Sequence, residues 1–379
     1  MKLKICYIIS NLSIGGAQLL LFDLINNLKN ENLEITVITI DSGYYIKKFE
    51  DAGIRIIDIK SKGLINPLIF FRLKNKLKEI QPHIVHTHLL KADFYGRLSA
   101  KWLQIPVIFT TCHNDSTTHS QKKNNKNNIF DSIDNWVIDY TNSYIIAISE
   151  KVKQFLINRK DEKISERMSV IYNGIDIKKE EYILNPEKIK YFKKTLGLTE
   201  RDFIVSIVGR LEEQKGHIKF LTMSLEVIKK YNLKILIIGD GSQKDSIKNF
   251  IRTKNLESNV FLLGFIPDTE KYYEISHLIV IPSLWEGFGI VACEGMIKSK
   301  IVLAAKVGGL PEIIEHGVNG FLYNEDDLNI NLEFIITNFH KLNLINENAV
   351  KTVKNKFDIK YNSNLYYSQY INKFTQINN

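Results

Sequence analysis

FIVSIVGRLEEQKGH (203–217) passes from an unbroken apolar run into a charged glycine turn, where a helical pattern begins. A strand buried on one face alternates apolar and polar residues. A run apolar throughout is buried on both faces, as in a parallel sheet covered by helices. The same rhythm continues downstream in LKILIIG (233–239), NVFLLG (259–264), HLIVIPS (277–283) and IVLAA (301–305). An earlier series holds KICYIIS (4–10), EITVITI (34–40), RIIDI (55–59), HIVHTH (83–88), PVIFTT (106–111) and YIIAIS (144–149). Helical patterns separate the runs, so the expected class is α/β with right-handed crossovers. Two series imply two Rossmann-like domains with parallel sheets, expected to face each other across a cleft. The polar stretch 173–202, with no clear strand, reads as the linker between them. The expected domains are 1–172 and 173–356. Ligands of such sheets bind beyond the carboxyl ends of strands, so each strand-to-helix turn is a candidate site.

The chain's 379 residues suffice for two or three domains with cores of their own. Hydrophobic residues make up 44% and charged residues 25%, which excludes a disordered or collagen-like chain. Cys6, Cys112 and Cys293 are far apart and form no CxxC, so neither a zinc cluster nor a disulfide scaffold is expected. Scattered thiols suit a reducing cytosol. In MKLKICYIIS the apolar run is cut short by Asn11, Ser13 and Gly15-Gly16, which reads as a first strand rather than a leader. The net charge is +9, and residues 1–180 hold 26 Lys and Arg against 19 Asp and Glu. A basic first half can attract nucleic acid, anionic lipid or phosphorylated ligands. No RNA- or DNA-binding motif accompanies it, so nucleic acid is not expected.

Several turns carry the residue types that anion and sugar chemistry need. In NLSIGGAQLLLFDLI (11–25), Gly15 and Gly16 offer unusual backbone conformations and close approach ahead of a helix start, although such a pair also serves as a plain turn. Arg210 can grip phosphate oxygens through paired hydrogen bonds, and Lys215 adds a compact charge. In IPSLWEGFGIVACEGM (281–296), Glu286 precedes a Gly-Phe-Gly turn and Glu294 follows eight residues later. A helix starting near Gly289 would present the amides of Gly289 and Ile290 to an anion. Carboxylates beside a diphosphate repel it unless they bind sugar hydroxyls, as an acidic residue does in dinucleotide folds. VGGLPEIIEHGVNGFLY (307–323) and IGDGSQKD (238–245) repeat the strand–glycine–helix pattern. His86 and His88 alternate on a strand and read as structural imidazoles. His113, at a strand end, can hydrogen-bond a substrate or carry charge.

Two segments stand apart. NPLIFFRLKNKLKEI (66–80) opens with Asn66 as a cap and Pro67 at the first helical position. Its stripe of Ile69, Leu73, Leu77 and Ile80, flanked by Arg72, Lys74, Lys76 and Lys78, fits either an anionic membrane surface or an ordinary packing helix. THSQKKNNKNN (118–128) lacks periodicity and reads as a basic exposed loop.

Taken together, the chain resembles the retaining glycosyltransferases of family 4, which have the GT-B fold. The resemblance rests on SIGGAQ near the start, HTHLLKADFYGRLSA (86–100), TTCHN (110–114), VIYNGID (170–176), VGRLEEQKG (208–216), GDGSQK (239–244), PSLWEGFGIVACEGM (282–296) and VGGLPEIIEHGVNGFL (307–322). It implies that Arg210 and Lys215 hold the diphosphate of a nucleotide-sugar donor, a UDP-sugar, and that Glu294 binds its ribose. It implies that Glu286 and the main chain of Phe288, Gly289 and Ile290 hold the donor sugar and phosphates. His113 would sit beside the transferred sugar, with Gly15 and Gly16 nearby. It implies no metal and no cofactor, a glycan or lipid-linked acceptor in bacterial surface polysaccharide synthesis, and a C-terminal helix, about 357–377, returning to the first domain. A cytoplasmic enzyme is expected, peripheral to the membrane if the basic helix docks there. The alternative is a nucleotide-sugar epimerase of similar architecture.

Overall fold

Every apolar run named above forms a strand in the computed structural model, which describes residues 2–28, 32–61, 63, 66–113, 129–180 and 185–378. The first series gives β1 (Leu3–Asn11), β2 (Leu33–Asp41), β3 (Arg55–Asp58), β4 (Ile84–His88), β5 (Val107–Cys112), β6 (Tyr144–Ala147) and β7 (Met168–Val170). The second gives β8 (Ile204–Val208), β9 (Lys234–Ile238), β10 (Val260–Gly264), β11 (Leu278–Ile281), β12 (Ile301–Ala305) and β13 (Phe321–Tyr323). The sequence pattern missed β7 and β13. Each has three residues and ends its sheet, too short to show a period.

The chain divides into two compact units, Met1–Gly174 with Ile359–Asn379, and Ile175–Asp358. The first is built on a parallel sheet in the order β3-β2-β1-β4-β5-β6-β7, the second on one in the order β10-β9-β8-β11-β12-β13. Both are Rossmann-like. In each, the chain builds outward on one side of its first strand and then crosses to the other. That reversal opens a crevice at the carboxyl ends of β1 and β4 in one unit, and of β8 and β11 in the other. All five residues of β4 and all four of β11 are buried, as strands covered on both faces must be.

The helix Ile359–Asn378 belongs to the first unit. Its Tyr366 and Tyr370 enter the same core as Tyr7, Ile9, Leu21 and Leu24. The stretch read as a linker is not extended chain. It holds the helix Pro186–Thr195, started by an Asn185 side chain that accepts from the Glu187 amide at 2.8 Å. Ile189, Phe192 and Leu196 pack with Leu198, Ile204 and Leu236, so the helix is part of the second unit's core. Its lysines hid a period of three to four apolar residues.

The basic helix runs Leu68–Ile80, and the Asn66 side chain accepts from the Leu68 amide at 3.1 Å. Ile69, Leu73, Leu77 and Ile80 are buried against Cys6, Ile38 and Val85. The stripe is therefore a packing face and no membrane-facing one. The basic loop 118–128 lies outside the described residues.

Candidate active site

In the second unit the β8/β11 crevice gathers the charged residues that the sequence had left 71 positions apart. Lys215 Nζ donates to Glu286 Oε2 at 2.6 Å, and Ser283 Oγ donates to the same oxygen at 3.0 Å. Their side chains keep 19% and 13% of their surface, so the pair is partly shielded but reachable. Lysine has three N–H donors, and one carboxylate oxygen uses one of them. Gln214 ties the two turns together. Its carbonyl accepts from the Leu284 amide at 2.7 Å, its side-chain nitrogen donates to the Trp285 carbonyl at 3.1 Å, and its side-chain oxygen accepts from Arg210 Nη2 at 3.3 Å. Arg210 is exposed.

Glycines let these turns touch. A Cβ on Gly216, which has φ +64°, would stand 2.0 Å from the Pro282 carbonyl oxygen. One on Gly308, with φ +55°, would stand 1.6 Å from the Glu286 carbonyl oxygen. Neither position accepts another residue without moving backbone. The Gly309 amide also donates to that Glu286 carbonyl, at 3.0 Å. Glu286 is thus fixed from β8, β11 and β12 together.

The expected helix is present as Ile290–Ile297, capped by Gly289. Gly289, Ile290 and Val291 line one recess with Lys215, His217, Ser283 and Glu286, and the recess is partly open to solvent. Amides at a helix start have no partner within the helix, and the dipole there favours negative charge. The Phe288 ring is buried edge-on against Phe357 at 5.5 Å between centroids. Glu294 lies one turn into the helix, where its Oε2 accepts from the Tyr273 hydroxyl at 2.6 Å.

Sequence reasoning missed Ser283, Gln214 and His217. His217 is 2% exposed and neither ring nitrogen has a hydrogen-bond partner. Burial, with Lys215 beside it, lowers its pKa to about 4, so it is neutral. Only its place directly after the Lys215-Gly216 turn hinted at this.

The first unit's crevice is built differently. Gly15 and Gly16 do not adopt the left-handed backbone expected of them. The turn is closed instead by Asn11, whose side-chain oxygen accepts from the Ser13 amide at 3.0 Å and from Gln18 Nε2 at 3.0 Å. Gly16 begins the helix Gly16–Leu28 with nothing within 4 Å of where a Cβ would be, so open space is what it offers.

His113 is not isolated. Its Nε2 lies 3.1 Å from His88 Nδ1, and the His88 ring stacks on His86 with centroids 4.6 Å apart. His86 in turn bonds Tyr370 Oη at 2.6 Å and Thr111 Oγ1 at 2.8 Å, and Tyr370 reaches Tyr7 Oη at 2.9 Å. Burial lowers His113 to about 4, burial and then His113 lower His86 to about 3, and burial, then His86 and His113, hold His88 well down. Neutral rings exchange hydrogen bonds with each other. Of the two roles expected of His113, hydrogen bonding fits this setting and carrying charge does not. His88 Nε2 is left buried without a partner.

Residues 14–179 match the family described as Glycosyltransferase Family 4, and residues 188–352 that of Glycosyl transferases group 1. An uncharacterized glycosyltransferase of Methanocaldococcus jannaschii is 30% identical over 355 residues, covering 91% of each chain. This chain belongs to the family 4 glycosyltransferases. A second relative, 26% identical over 377 residues and 94% of each chain, is the Escherichia coli UDP-Gal:alpha-D-GlcNAc-diphosphoundecaprenol alpha-1,3-galactosyltransferase. The fold is shared with Anabaena HepE in complex with UDP-glucose, at a TM-score of 0.86 and 24% identity over 97% of this chain and 99% of that one. It is the GT-B fold. With these relatives named as transferases, the epimerase alternative is set aside. No group of three His, Cys, Asp or Glu side chains is placed to hold a metal ion among the described residues.

Proposed function

We propose that the second unit binds a UDP-sugar by its pyrophosphate, and that the chain transfers the sugar with retention of configuration. The acceptor is a lipid-linked or other glycan in bacterial surface polysaccharide synthesis. The observation that carries this reading is the recess at the β8/β11 crevice, where Lys215, Ser283, Glu286 and the start of the Ile290–Ile297 helix meet. The E. coli relative's UDP-Gal donor and lipid-linked acceptor, and the UDP-glucose held by the Anabaena neighbour, support the choice of substrates. Three cysteines without a disulfide support a cytoplasmic setting.

Arg210 and Lys215 take the diphosphate, with the Gly289 and Ile290 amides adding donors. No metal has a part in this reading. Glu286, already oriented by Ser283 and Lys215, accepts hydroxyls of the donor sugar. Glu294 accepts the ribose hydroxyls, and the Tyr273 bond fixes its carboxylate. His113 hydrogen-bonds the transferred sugar as a neutral imidazole.

In the reaction the bond from the anomeric carbon to phosphate oxygen breaks, and its electron pair leaves with the diphosphate. The acceptor oxygen attacks from the same face and its proton passes to the departing phosphate oxygen. Negative charge grows on the diphosphate as the bond lengthens. Cations and helix-start amides fixed beforehand stabilise that charge without reorganising, which is where such a site gains most of its rate.

Calorimetry with UDP tests the binding half. The native chain is expected to give a saturable isotherm. Glu294→Ala should weaken it roughly tenfold or more, since a hydrogen bond to a charged group contributes about 1.5–3 kcal/mol. An unchanged dissociation constant would remove Glu294 from the site.

A further inference from the structure

With the Ile69, Leu73, Leu77, Ile80 stripe consumed by packing, the outer face of the same helix becomes the feature to explain. Leu68 is 58% exposed and Phe71 52% exposed on it. Trp102, the last residue of the neighbouring Leu90–Trp102 helix, is 66% exposed. These groups form one patch. Phe70 meets Phe71 and Trp102 edge-on, with centroids 5.5 and 6.1 Å away. Lys74 Nζ lies 5.7 Å from the Phe71 ring centre and 5.6 Å from that of Trp102. Lys78 and Lys101 are exposed nearby in sequence, and Lys76 is the cation engaged by Glu79, at 2.8 Å. Residues 66–80 carry four cations, Arg72, Lys74, Lys76 and Lys78, and Glu79 as the one acid.

We propose that Leu68, Phe71 and Trp102, with Lys74, Lys78 and Lys101 around them, form a docking surface for a lipid bilayer rich in anionic headgroups. Exposed aromatic rings are stable at headgroup depth, where the ring is half in hydrocarbon and its edge in water. Lysines bury their stems along apolar surface and lift their charge to the phosphates, which is the arrangement of Lys74 between its two rings. Each lysine near an anionic leaflet adds attraction that fades within a Debye length. A protein partner is disfavoured, because lysine is depleted at the centre of protein interfaces. The patch is separate from the donor recess and does not depend on the proposed chemistry. It adds a place at which a lipid-linked acceptor would be met.

A second aromatic pair supplies the control. Trp136 and Tyr140 stack at 5.2 Å on the Ile129–Thr141 helix and are 56% and 50% exposed, but that helix carries no lysine or arginine, and its Asp131, Asp134 and Asp139 occupy Arg159, Arg97 and Lys160 in ion pairs. The experiment is flotation of the full chain with phosphatidylcholine vesicles, with and without phosphatidylglycerol. The expected result is co-flotation with the anionic vesicles alone, lost in high salt. Phe71→Ala with Trp102→Ala should cut it at least about tenfold, since two aromatic side chains leave the interface. The double variant should keep the circular dichroism spectrum and the melting temperature of the native chain, which shows that the first unit, where both residues lie, is folded. Trp136→Ala should float like the native chain. Failure of the native chain to float with anionic vesicles, equal flotation with neutral ones, an unaffected double variant, or an equal loss in Trp136→Ala would each overturn the proposal.

Discussion

The β1/β4 crevice of the first unit and the β8/β11 crevice of the second arise from the same reversal of strand order, yet their floors carry opposite chemistry. The first is paved with three neutral imidazoles, joined to each other by stacking or hydrogen bonds and braced through Tyr370 by the C-terminal helix. The second holds an ammonium, a carboxylate and a helix start around an open recess. Topology decides where a ligand can approach. The few side chains at the strand ends decide what that ligand is. A cradle of charge suits a pyrophosphate, whereas a floor of neutral donors and acceptors suits hydroxyls.

The contrast breaks most sharply at Lys215. Lys215→Ala should cost about 3–4 kcal/mol of barrier, on the order of a hundred- to a thousandfold in turnover, as removal of other preorganised charge donors does. Circular dichroism should show the fold intact, because the lysine touches the site and not the core. Turnover near the native rate would show that the second crevice does not work by charge.

In the first unit the matching change acts on stability. Tyr370→Phe removes the hydroxyl shared by His86 and Tyr7, leaving a buried ring nitrogen unpaired. The expected loss is about 1–3 kcal/mol in denaturant melts, with UDP affinity unchanged. A fall in UDP affinity with no loss of stability would reverse the roles given to the two floors.

The smallest expected effect per residue comes from pH. His86 and His88 are fully buried and held neutral, with His86 lowered to about 3. The unfolded chain binds protons below about pH 6.5 that the folded chain refuses, so stability present above that pH is lost as pH falls. Between pH 7 and 6 each such histidine costs about 0.7 kcal/mol. Asp93 works the other way, because burial raises it to about 6 and the folded state takes up its proton first. One such carboxyl offsets only a fraction of the histidine effect. Melting temperature should therefore drop from pH 7 to pH 6, and a rise would show that these imidazoles are charged in the fold.

Much of this was legible in the sequence. Eleven apolar runs became eleven strands, because burial on both faces writes itself into consecutive residues. Gly289 capped its helix as expected, and Asn66 marked another start, since capping is local as well. What stayed hidden was short or masked by charge. β7 and β13 have three residues each, and the Pro186–Thr195 helix carried its apolar positions among lysines. The stripe at Ile69, Leu73, Leu77 and Ile80 was plain to see, but its partner was not, and a membrane and a protein core leave the same period.

By itself, then, the amino-acid order determined that the chain would form two parallel sheets and which turns would end in cations, glycines and carboxylates. Those features depend on neighbours within a dozen positions. Only the tertiary structure decided that Lys215 would rest on Glu286, that Gln214 would join two turns, that His217 would face the recess unpaired, and that His88 would meet His113. Each pairing unites residues from different strand ends, and strand order, which no local pattern encodes, sets which ends are adjacent.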